Sequence, residues 1–229
     1  MTRASALALL LVALSASGVM SQELTLVRAD DALPVTFAID GMDEDVVRDD
    51  LSAARDVVSQ MEAEEDRLQV EIAEAKAAVE VKKSEIDIIE TQKDLADDRD
   101  REAEKRSLER EKDFEEAMKK VLERMVELRE RELDHVRARR ETARAAMVVH
   151  ERELEVIEVR DGLASLASSP SMEQSIRLER EIVTLERELL EALHERAEKS
   201  RDEADRERRV YEAQIQVHDE KRDLREAGR

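Results

Sequence analysis

Four histidines, His135, His150, His194 and His218, are the side chains best able to bind a metal or move a proton near neutral pH. There is no cysteine, which removes disulfides and thiolate metal sites. Carboxylates are abundant, with 59 Asp and Glu against 39 Lys and Arg. At that density, pairs on one helix face arise by chance, and a catalytic carboxylate needs burial or a shaped pocket to shift its pKa. If the chain folds back near residue 165, His135 and His194 come within about one helical turn, with Glu132 or Glu191 close by. These histidines are read as seam or surface residues rather than ligands, and His150 as a polar residue that sets register. Met61, Met118, Met125 and Met147 fall on seam positions and read as core filler, not a copper-binding box. No Gly-rich phosphate loop, Gly-x-Ser-x-Gly or His-Glu-x-x-His is present. The expectation is no catalytic residue, no cofactor and no metal, hence not an enzyme.

The elements around these residues are helices. Aromatic residues make up 1% of the 229-residue chain and charged residues 43%, with four glycines and two prolines. Leu, Val, Ile, Met and Ala set among Glu, Arg, Asp and Lys at helical spacing are the composition of coiled coils. The net charge of −20 disfavours binding to a polyanion, and no basic block offers the face that nucleic-acid binding requires, so no nucleic-acid partner is expected.

Arg3 precedes a run of Ala, Leu, Val and Ser over residues 4–16, followed by Ala16-Ser17-Gly18. A charged start, a short apolar stretch and a small-residue exit describe a secretory signal peptide over residues 1–21, cleaved near Gly18–Ser21. The alternative is an uncleaved anchor, for which the apolar stretch is at or just below spanning length. The mature chain is expected to be periplasmic or secreted and not membrane-spanning. Residues 22–41 read as a short extended leader. Asp40, Asp43, Glu44 and Asp45 then offer N-caps and first-turn negative charge.

Residues 42–161 contain neither Gly nor Pro, and one continuous helix there would run about 180 Å. Leu51, Ala54, Val58, Met61, Leu68, Ile72, Ala75, Val79, Ile86 and Ile89 recur at alternating spacings of three and four, interrupted by Glu65 and Lys82. That is a sustained heptad stripe. Phe114, Met118, Val121, Met125 and Leu128 repeat it, and Val136, Ala143, Met147, His150, Leu154 and Ile157 carry it on. Between residues 90 and 113 the seam is weak and highly charged, with Lys93, Ala96, Asp100, Ala103, Ser107 and Arg110 in phase. Gly162, Ser169 and Pro170 place a hairpin loop at residues 162–171, and a returning helix occupies 172–227. Its stripe is Leu178, Ile182, Leu185, Leu189 and Ala192, with Ala197, Ala204, Tyr211 and Ile215 as later candidates.

The fold expected is therefore all-α: an elongated coiled coil made of a long helix plus an antiparallel helical hairpin. The alternative is a long three-helix bundle, bent near Asp98. In the first arrangement the stripe Leu51, Val58, Met61, Leu68, Ile72, Val79, Ile86 and Ile89 has no partner within the chain. It would then zip a homodimer or higher oligomer. In the second it packs internally and a monomer results. Leu163, Leu166 and Pro170 form the expected interaction tip.

The function these features imply is an exported structural or interaction protein of the cell envelope, acting as spacer, adaptor or scaffold through protein partners, itself included. The hairpin is similar in shape to those of periplasmic Skp-like chaperones, which are basic where this chain is acidic, and to efflux-pump adaptor hairpins. The alternatives are a holdase-type chaperone and a helical metal-stress sensor.

Overall fold

The structure is a computed structural model that describes residues 43–99, 101–166 and 172–227. Residues 1–21, read as a signal peptide, residues 22–41, read as a leader, and Pro170 lie outside the described residues. Three helices follow in order: α1 (Glu44–Asp97), α2 (Glu102–Leu166) and α3 (Met172–Ala227). The all-α expectation holds.

The start of α1 follows from its first residues. Asp43 has extended dihedrals (φ −84°, ψ 119°), and its Oδ1 accepts the Asp45 N–H at 3.0 Å. Glu44 and Asp45 put negative charge on the positive end of the helix dipole.

The continuous helix over residues 42–161 is not what forms. The chain turns between Asp98 and Arg101 without glycine or proline. Asp98 N–H still bonds Asp94 C=O at 3.0 Å, but Arg101 N–H reaches Ala96 C=O at 3.0 Å, five residues back. Lys105 N–H to Arg101 C=O then opens α2. Two physical effects select this point. The run Asp97-Asp98-Arg99-Asp100 has poor helix propensity. Its charge also opposes the dipole at a C-terminus, where α1 has no basic residue in its last turn, whereas Glu102 and Glu104 favour a new N-terminus. Continuing the helix would save about four backbone hydrogen bonds at ~1 kcal/mol each. Folding back buries Val47, Leu51, Met61, Leu68, Ile72, Val79, Ile86 and Ile89, at about 1.5–3 kcal/mol for each large side chain. Burial wins by a wide margin.

Ion pairs fix the α1–α2 register. Lys105 meets Asp97 at 2.5 Å, Lys93 meets Glu109 at 2.9 Å and Lys112 pairs with Glu90 around the turn. Further along, Lys82 meets Glu115 at 2.8 Å, Arg129 meets Glu71 at 3.1 Å and Arg144 meets Glu62 at 2.9 Å. Met61, Leu68 and Ile72 pack with Leu133 and Val136 at the centre of this interface.

Residues 162–166 of the expected loop are helical instead, and 167–171 lie outside the described residues. Helix α2 runs through Gly162 to Leu166, and Ser165 Oγ donates to Gly162 C=O at 2.7 Å. Glycine inside a helix costs only about 1 kcal/mol relative to alanine, too little to end one. Helix α3 returns antiparallel along α2. Arg160 meets Glu186 at 3.2 Å, Lys199 meets Glu141 at 3.0 Å and Arg206 donates to Asp134 C=O at 3.2 Å.

Among the described residues no Cα of α1 comes within 8 Å of α3. The helices therefore form an open layer with α2 in the middle, not a closed bundle. The sequence of α2 explains this. Arg129, Leu133, Val136 and Arg140 mark one heptad seam, toward α1. Arg124 and Arg152, both paired with α3, share a second heptad seam with Val121, Ala138, Ala145, Val149 and Val156, all five buried. At 3.5 residues per turn the two seams lie about 150° apart. The single stripe read along this segment thus mixes two faces. Phe114, Val121 and Leu128 belong to the α3 seam, whereas Val136, Ala143, Met147, His150, Leu154 and Ile157 belong to the α1 seam.

The later part of the α3 stripe also needs correction. Its inner face continues from Leu189 and Ala192 through Lys199, Glu203 and Arg206 to Val210, Ala213 and Val217. Ala197, Ala204, Tyr211 and Ile215 are exposed. The polar middle of the inner face conceals the true phase, because its long side chains reach polar partners on α2, Lys199 to Glu141, Glu203 to Arg139 and Arg206 to the Asp134 carbonyl.

Candidate interaction surface

The residues expected to form an oligomer seam are occupied within the chain. Leu51, Met61, Leu68, Ile72, Val79, Ile86 and Ile89 are buried, and Val58 is half-buried. They cannot zip a second copy, because α2 covers them once the chain turns at Asp98. At the expected tip, Leu163 is half-buried on the last turns of α2, the side chain of Leu166 lies outside the described residues, and so does Pro170.

The polar interruptions of that stripe are its most constrained residues. Glu65 is buried at 9% exposure and accepts from Arg137 Nε at 2.8 Å and Arg140 Nη1 at 2.6 Å. Gln69 adds a 3.4 Å contact. The Arg137 hydrogen bond, together with the charge of both arginines, outweighs burial and holds the Glu65 carboxyl below its usual pKa. Lys82 sits between Glu115 and Glu85, at 2.8 and 2.6 Å, and its ammonium is pushed up by those two hydrogen bonds. Both are register pins, since a shift of one heptad would bury each charge without its partner.

The histidines do not converge. Lys199 pairs with Glu141 and Arg206 with the Asp134 carbonyl, so His135 lies level with Arg206, about 18 Å along the axis from His194. His194 is exposed and faces Glu198 at 3.4 Å. His150 Nδ1 lies 2.7 Å from Glu153 Oε2 on the half-buried α1 seam. Among the described residues no group of three or more His, Asp or Glu is arranged to hold a metal. Between α2 and α3, Arg131, Asp134, Asp202, Asp205, Arg206 and Arg209 line an open groove of about 290 Å³ whose charges balance. No described helix is long and apolar enough to cross a membrane.

What remains unpaired is the outer side of the layer. On α1, Ala77, Val81, Ser84, Ile88, Thr91 and Leu95 follow one another at spacings of four and three, all exposed and none charged. Val81 and Ile88 are each 56% exposed. Ser84 Oγ and Thr91 Oγ1 donate to the carbonyls of Glu80 and Asp87, at 3.2 and 2.9 Å, which satisfies their hydroxyls within the helix. On α3, Ile176, Val183, Leu190, Ala197, Ala204 and Tyr211 recur every seventh residue, and all are exposed. No protein-family model matches this chain, nor does any curated protein or solved structure.

Both outer stripes are visible in the sequence. Valine, isoleucine and leucine at positions 81, 88 and 95 share a heptad position distinct from that of Val79, Ile86 and the rest of the inner stripe. The signal is hidden because a helix with two apolar faces blurs any search for one period.

Proposed function

We propose that the chain is an exported, non-enzymatic coiled-coil interaction protein of the cell envelope, serving as a spacer or adaptor. The observation that supports the partner-binding part is the pair of uncharged heptad stripes left outward on α1 and α3. A helix that packs once keeps its far side polar. The far side of α1 is patterned like a seam, and that of α3 keeps an uncharged residue at every seventh position. Between these lie Leu193 and Ser200 at the centre of α3 and Glu179, Glu186 and Glu207 elsewhere, which suits recruitment of another helix along that centre. The export part rests on Arg3, the apolar run over residues 4–16 and the small residues at 16–18.

Two measurements test this reading. N-terminal sequencing of the chain recovered from the envelope should give a start near Gly18–Ser21; an intact Met1 in the cytoplasm would remove the export claim. Photo-crosslinkers at Ile88 and Val183 should capture defined protein partners, whereas crosslinkers at Asp49 and Asp205 should not. A holdase would instead slow aggregation of an unfolded client at equimolar ratio.

A further inference from the structure

We infer that the two outer stripes are complementary to each other, so that α1 of one copy docks against α3 of the next and the copies grow into an open array. This rests on the interaction-protein reading and names the partner as a second copy of the chain.

The inference follows from what flanks each stripe. Beside the α1 stripe, at the position preceding Val81, Ile88 and Leu95, stand Glu80, Asp87 and Asp94. Beside the α3 stripe, four residues after Leu190, Ala197 and Ala204, stand His194, Arg201 and Arg208. In heptad terms these are g positions on α1 and e positions on α3. In a parallel pair, g of one helix faces e of the next heptad on the other. Helices α1 and α3 run the same way, each antiparallel to α2, so copies in one orientation bring them together in parallel. Two registers one heptad apart satisfy both tests, but one sets Thr91 against Glu207, so the register that keeps the seam uncharged from Val81 to Leu95 is the one taken. Val81 meets Leu190, Ile88 meets Ala197 and Leu95 meets Ala204, which places a large residue on a small one in two of three layers. The same register sets Asp87 against Arg201 and Asp94 against Arg208. Among the described residues, neither aspartate carboxylate nor Arg201 takes part in an ion pair within the chain, while Arg208 shares Glu212 at 3.1 Å.

Like-with-like pairing is disfavoured by the same flanks. In an antiparallel pair, two α1 faces would set the acidic rows against each other, and two α3 faces would put the arginine rows together. The contact is therefore heterologous and does not close on itself. Within a chain the two stripes sit near opposite ends of the layer, so joined copies are staggered along the helix axis. The contact is short and opposed by the overall charge, so association is expected at high concentration or on a surface rather than in dilute solution.

Charge reversal tests this directly. Sedimentation of the full mature chain at physiological salt should show mass rising with concentration. Asp87→Arg with Asp94→Arg should weaken association by about tenfold or more, as should Arg201→Asp with Arg208→Asp. A mixture of the two variants should restore it, since each then presents the complement of the other on both faces. Helical circular dichroism checks that both variants fold. With no native cysteine, Ile88→Cys and Ala197→Cys chains oxidised together should give the mixed disulfide in preference to either homotypic one. A chain that stays monomeric at all concentrations, reversals without effect, or a mixture that does not recover would each overturn the proposal. If the chain remains monomeric but still captures a different protein through Ile88, self-pairing is wrong and the adaptor reading stands.

Discussion

Glu65 has the heaviest electrostatic task of any single residue in the α1–α2 interface. Its carboxylate is buried and its two arginine partners are partly exposed, so removing it leaves two guanidinium groups short of an acceptor. Glu65→Ala should cost about 1–3 kcal/mol, below the range for fully buried pairs because water still reaches Arg137. Chemical denaturation would read this as a lower midpoint at unchanged slope. Gly162 works in the opposite sense. It is helical, and a Cβ placed there would meet nothing within 4 Å. Gly162→Ala should therefore raise stability by about 0.5–1 kcal/mol, chiefly by restricting the unfolded chain. A fall in melting temperature would show that the end of α2 is not helical in solution.

Among the elements, the turn at Asp98–Arg101 decides the architecture. Spin labels at Ser59 and Val148 should lie within about 25 Å of each other if α1 folds back on α2. A continuous helix would hold them about 130 Å apart. Much of this level was legible in the sequence. The inner stripe of α1, its two polar interruptions and the weakness near residue 98 can all be read from spacing alone. The choice to turn could not, because it depends on a comparison between a few lost hydrogen bonds and an entire buried face. No local turn residue records that comparison. The far half of α3 is obscured in the sequence for a related reason. Its inner face passes through Lys199, Glu203 and Arg206, and the apolar residues left visible there, Ala197, Ala204 and Tyr211, belong to the outer side. The residues that look like core there are those that mark the candidate surface.

At the scale of the whole molecule, the ion pairs make stability depend on acid. The carboxyls of Glu65, Glu90, Glu109 and Glu141 are held below their ordinary pKa, in each case first by a hydrogen bond, from Arg137, Lys112, Lys93 and Lys199 respectively. Groups depressed on folding stabilise the protein above their unfolded pKa, and that contribution is lost as pH falls through the lower folded values. The ammonium groups of Lys82, Lys105 and Lys112 are raised by their carboxylate partners, so their contribution fades only as pH climbs through folded values above about 10.4. The melting temperature should thus be nearly flat from about pH 5 to 9 and drop below about pH 4. Thermal scans followed by circular dichroism would check it. An odd number of helices, with α2 gripped on both sides, has a further consequence. The start of α1 and the end of α3 point toward opposite poles of the layer. Tension applied between them loads both long interfaces in shear, so that every ion pair and every apolar contact resists together instead of peeling one at a time. A filament or tether assembled from such units would be stiff under pull along its axis and weak against forces that splay the layer sideways.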